Sequence, residues 1–64
     1  EDYGAAVNDM DDAIALDPKN AAYYKQRGNF NYQLKNKEEA CKDWAKAVEL
    51  GDAKAKFSIQ QFCK

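Results

Sequence analysis

The sequence predicts an all-α protein of about four helices, joined as antiparallel helix–turn–helix pairs. Three observations predict it. Apolar residues recur at spacings of three and four along nearly the whole chain. No stretch alternates apolar and polar residues as a half-buried strand would. Helix-stop and helix-start residues fall between the apolar stripes.

Tyr3, Ala6, Val7, Met10, Ala13 and Ile14 form the first stripe, which predicts a helix over 2–16. Pro18 cannot sit in a helix interior and disfavours helix at Asp17. Asn20 is suited to cap a second helix over 21–34, marked by Tyr23, Tyr24, Phe30 and Leu34. Asn36 and Glu39 have the spacing of a capping box for a third helix over 37–50, which carries Ala40, Cys41, Trp44, Ala47 and Val48. Gly51 suits a left-handed stop. Asp52 can accept from the first amides of a fourth helix over 53–63, with Ala55, Ile59, Phe62 and Cys63. Such short connections make neighbouring helices antiparallel.

A chain of 64 residues is one small domain, and it buries only roughly 60% of its unfolded surface. Its stability is therefore marginal without a staple or a covering partner. No apolar run approaches the roughly 18 residues of a membrane span, so no membrane insertion is expected. Residues 1–18 carry six acids and no base, while the ten bases lie downstream. Those bases are single Lys residues among Glu and Asp, with one Arg, Arg27. That is the pattern of a solvated helix surface and not of a nucleic-acid interface.

Shifting the chain by 34 residues produces a self-match. Ala6 falls on Ala40, Asp9 on Asp43, Ala13 on Ala47, Leu16 on Leu50 and Ala21 on Ala55. Val7 meets Cys41, Met10 meets Trp44, Ile14 meets Val48 and Tyr23 meets Phe57. The matching positions are the core stripe, and the period is that of a helical repeat.

On these residues the chain resembles the tetratricopeptide repeat family. One complete unit spans 21–52, with Tyr24, Gly28, Ala40, Trp44 and Ala47 at the family's large and small positions. Residues 1–20 resemble the second half of a preceding unit, supplying Ala6, Met10, Ala13 and the closing Pro18. Residues 53–64 resemble a C-terminal capping helix. "LGDAKA" after "WAKA" is similar to Sel1-like relatives of the family. Arg27 stands where the family has Leu, Asn31 where it has an aromatic residue, and Asp52 where it has the closing Pro. The resemblance implies a fragment of a right-handed superhelix that acts as a protein–protein interaction scaffold. It also implies that the first helix of the half-unit lies upstream of Glu1, or that Val7, Met10 and Ile14 are covered by self-association as a homo-oligomer.

Catalytic chemistry finds no support. With no His there is no Cys–His or Ser–His pair. "DMDDAIALDPKN" lacks the central Gly and final Glu of a calcium loop. Two Cys without a CxxC motif make no zinc site. No cofactor is expected. Trp44 is read as core, and Gly28 as a point of close helix approach.

Lys25 and Asn29 are spaced i, i+4 off the apolar stripe. The resemblance places them in the family's inner groove, as half of a clamp for a peptide carboxylate, with Tyr32 and Gln33 adding contacts. Ile59 and Cys63 replace the corresponding Lys and Asn one unit later. The chain is thus read as a module binding a peptide or protein, with a purely structural end cap as the alternative.

Cys41 lies ten residues before Gly51 and Cys63 twelve after it. An antiparallel pair turning at Gly51 brings the two sulfurs to similar heights. They then either form a bridge, which implies an extracytoplasmic location, or stay reduced as small apolar residues, as in the cytoplasm.

Overall fold

The computed structural model describes residues 2–63; the outer ends of the first and last predicted units, Glu1 and Lys64, lie outside the described residues. It is all-helical: α1 (Tyr3–Leu16), α2 (Ala21–Gln33), α3 (Lys37–Glu49) and α4 (Ala55–Phe62) follow one another, with no strand among the described residues.

Local hydrogen bonds set the helix ends. Asp2 lies outside α1 as its N-cap, its carboxylate accepting from the Ala5 amide at 3.0 Å. Asn20 caps α2 as expected, accepting from the Ala22 amide at 3.0 Å. It also donates to Asp17 at 3.2 Å, which closes the turn around Pro18.

The Asn36 expectation is corrected: its side chain makes no capping bond to α3. The turn before it also takes the amide that Glu39 would bind in a capping box. The amide of Lys35 donates to the Tyr32 carbonyl and the amide of Asn36 to the Asn31 carbonyl, so the Asn36 amide is committed to ending α2. This Schellman turn puts Lys35 at φ 66°, a left-handed position usually given to Gly. The end of α3 repeats the same pair of bonds: the Gly51 amide donates to Val48 and the Asp52 amide to Ala47, with Gly51 at φ 112°. Asp52 then accepts from the Lys54 amide at 3.1 Å. The chain makes one i, i+3 turn before α4 becomes regular at Ala55, two residues later than expected.

Consecutive helices pack pairwise and antiparallel. Tyr3 at the start of α1 meets the Phe30 ring near the end of α2, at 6.0 Å between centroids. Gly28 of α2 faces Ala40 and Trp44 of α3. Trp44 meets Phe62 of α4 at 5.8 Å. The Cα radius of gyration is 10.6 Å, near the roughly 11 Å of a compact domain this size.

The core is Ala40, Trp44, Ala47 and Ala55, with Tyr24, Tyr32, Val48, Ile59, Phe62 and Cys63 packed around it. Three sequence expectations need correction here. Ile14 is buried and not exposed, because its side of α1 rests on α2; Val7 and Met10 are half-buried. Leu16 is 89% exposed and so not a core counterpart of half-buried Leu50. Leu34 lies past the last turn of α2 as its C-cap and is exposed.

Candidate functional site

Lys25 and Asn29 sit one turn apart on α2, and both line an open groove of about 570 Å³. Ala22 and Gln26 complete its α2 wall, and the Gly51–Lys54 turn forms the opposite wall. The turn lies there because the Schellman stop at Gly51 reverses α3 beside α2.

Asn29 is held in place from below. The indole N–H of Trp44 donates to its side-chain carbonyl at 3.0 Å. The amide oxygen is thereby used, and Nδ2 remains as a donor to a ligand. Lys25 pairs with no acid among the described residues. The groove therefore offers an ammonium and an oriented amide donor, the two groups that bind a carboxylate.

Tyr32 and Gln33 do not join them. Tyr32 is half-buried, its ring 4.4 Å from Phe62 and 5.8 Å from Trp44 between centroids, so it serves the core. Gln33 lines a separate surface recess with Tyr32, Lys35 and Lys37. Three and four residues beyond Asn29 they stay near its side of the helix, but the Trp44 and Phe62 rings draw Tyr32 into the core, and Gln33 lies a turn farther along α2, beside Lys35 and Lys37.

On the side of α2 turned away from the groove lies a polar network that sequence reasoning missed. The guanidinium of Arg27 donates through Nε to Asp43 Oδ2 at 3.0 Å and through a terminal nitrogen to Oδ1 at 2.8 Å. Its other terminal nitrogen reaches Asp11 of α1 at 2.7 Å. Asn31 Nδ2 donates to Asp43 Oδ2 at 3.0 Å. Asp43 and Asn31 are buried, yet no buried side-chain polar atom among the described residues lacks a partner. Arg27 thus pins three helices together, with its carbon 5.5 Å above the Tyr24 ring. The hydrogen bond to Asp43 pushes the Arg27 guanidinium above its ordinary range, outweighing the opposing effect of burial. The signal was present: Arg27 and Asn31, two departures from the family pattern, are spaced i, i+4 and face the repeated Asp43.

Cys41 and Cys63 form a disulfide joining α3 to the end of α4, with their Cα atoms 6.0 Å apart. The remaining positions singled out by the repeat take structural places. Ala40, Trp44 and Ala47 are fully buried, Gly28 is buried against Trp44, and Tyr24 packs on the core. Ala6, Met10 and Ala13 are half-covered on α1, and Pro18 is exposed in its turn. No helix among the described residues is long and apolar enough to cross a membrane. Comparison with protein-family models, with curated proteins and with solved structures finds no match to this chain.

Proposed function

We propose that the chain is a non-enzymatic, tetratricopeptide-like interaction module that takes a carboxylate-bearing peptide segment in the groove on α2. The observation that carries this reading is the joint geometry of Lys25 and Asn29: an ammonium without an acidic partner lies one turn from an amide whose oxygen is already bound by Trp44. The ammonium attracts the carboxylate, and Asn29 Nδ2 fixes its orientation. The antiparallel order of the helices and the 34-residue self-match support the repeat reading. The test is a peptide array presenting each sequence with a free and with an amidated C-terminus. Selective retention of the free acids supports the groove; equal retention refutes it.

A second reading is a structural end cap without a ligand, and the disulfide favours it. The bridge fastens the short α4 over Trp44 at the edge of the last full unit. The same bridge supports an oxidising compartment as the protein's location. An array that retains nothing at any peptide concentration favours this second reading.

A further inference from the structure

Both walls of the groove are tied to α4, and the Cys41–Cys63 bridge holds the far end of that helix. One tie runs through the core. The Phe62 ring lies 5.8 Å from Trp44 and 4.4 Å from Tyr32 between centroids, and the Trp44 indole N–H is what orients Asn29. The other runs along the chain. The Gly51–Lys54 turn opposite Lys25 leads directly into α4, where the amides of Ala55 and Phe57 donate back to the Asp52 and Lys54 carbonyls. Fully buried Ala55 anchors the start of α4. Its other end has only half-buried Ile59 and Phe62 and the bond from Cys63 to α3. A helix of eight residues does not hold its shape without such contacts.

The bridge is open to attack. Cys41 and Cys63 line a surface recess of about 390 Å³ with Lys37, Lys42 and Glu38. Lys42 is paired with Glu39 at 3.6 Å, and Lys37 forms no ion pair among the described residues. Both lysines lie within a turn of Cys41 on its own helix, so their charge favours the Cys41 thiolate as the group that departs.

We infer that the Cys41–Cys63 bridge is a redox latch on the groove: a dithiol opens it, the Phe62 end of α4 leaves Trp44, and Asn29 loses its orientation. The consequence for a ligand rests on the groove reading; the coupling of bridge to Asn29 rests on the contacts above. A thiolate of the dithiol attacks Cys63 Sγ, the S–S bond breaks, and Cys41 departs as a thiolate. The second thiol of the dithiol then attacks its own sulfur in the mixed disulfide and frees Cys63. The dithiol ends as a cyclic disulfide, and its two electrons and two protons reside on Cys41 and Cys63. The element with two states is α4, docked or frayed at Phe62. A ligand that needs the docked form protects the bridge in return.

The test follows the chain's single indole N–H by NMR in the oxidised protein, in the protein reduced with dithiothreitol, and in a Cys41→Ser/Cys63→Ser variant. Amide shifts of α1 to α3 report the rest of the fold. Affinity for the free-acid peptide retained most strongly on the array is measured on the same samples. On reduction the indole signal should shift and its proton exchange faster, the α1 to α3 shifts should stay those of a folded protein, and affinity should fall at least about fivefold. The double-serine variant should match the reduced protein and ignore dithiothreitol. An indole signal indifferent to reduction would overturn the coupling, whatever the peptide does. Loss of the whole fold on reduction at every temperature would also overturn it, since the bridge would then be a staple. Equal affinity of the oxidised and reduced proteins would overturn the latch and leave the groove reading standing. An oxidised protein that binds no peptide sinks the groove reading alone, and the indole signal then decides the coupling.

Discussion

A Cβ placed on Gly28 would lie 2.7 Å from both Cδ1 and Nε1 of Trp44, the largest fully buried side chain of the domain. Helix propensity alone favours Gly28→Ala by about 1 kcal/mol. Overpacking against a fixed indole costs about 1–3 kcal/mol, and the Ala40 carbonyl at 3.2 Å blocks retreat on one side. The substitution should therefore destabilise, by up to about 2 kcal/mol in denaturant unfolding. A more stable Gly28→Ala protein would show that α2 and α3 are not this close. The sign is the decisive reading.

Arg27→Lys keeps the charge and loses the fork. Asp43, with a side-chain exposure of 8%, would then keep one bond to Asn31 and an imperfect ammonium contact. The expected loss is about 1–3 kcal/mol. Because the raised folded-state value of Arg27 lies above its unfolded one, its contribution is fully present from neutral to mildly alkaline pH and is lost on the alkaline side only in strong alkali. Chemical unfolding at neutral and mildly alkaline pH should thus show the same gap between wild type and Arg27→Lys.

The residues that sequence alone made legible are those with local causes. Pro18, Asn20 and Gly51 act within a turn of themselves, and each ends or starts a helix as expected, while Asp52 caps the short turn that leads into α4. The Gly28 contact and the matched heights of Cys41 and Cys63 were also readable, because repeat spacing and antiparallel pairing fix heights along a helix pair; the choice between bridge and free thiols was not. What escaped depends on several helices at once. Asp43 stood out only as a repeat position, with no role, until Arg27 and Asn31 were brought over it. Tyr32 looked like a groove residue until α4 supplied Phe62 on its other side. Asn36 holds the N-cap position of α3 without a side-chain bond, and its amide, which the reciprocal half of a capping box would use, is spent on the Asn31 carbonyl at the end of α2.

Lys35 holds a left-handed backbone at φ 66° with an exposed side chain. A non-glycine residue there costs roughly 1 kcal/mol. Lys35→Gly should raise stability by about that amount, read as an upward shift in Tm of several degrees. An unchanged or lower Tm would contradict the turn geometry.

The disulfide closes a loop of sequence separation 22, for which chain entropy gives about 3 kcal/mol. Adding reductant should lower Tm by more than about 10 °C in a domain this small. Fluorescence of Trp44 should report the loss, since α4 covers it through Phe62. A Tm indifferent to reductant would mean that α4 holds without its tether.

The affinity of an array-selected free-acid peptide for wild type and for Lys25→Ala, at low and at high salt, tests the proposed groove most directly. The account predicts at least about tenfold weaker binding by Lys25→Ala at low salt, with the gap narrowing as salt screens the ammonium. Equal affinities of the two proteins at both salt concentrations would contradict it.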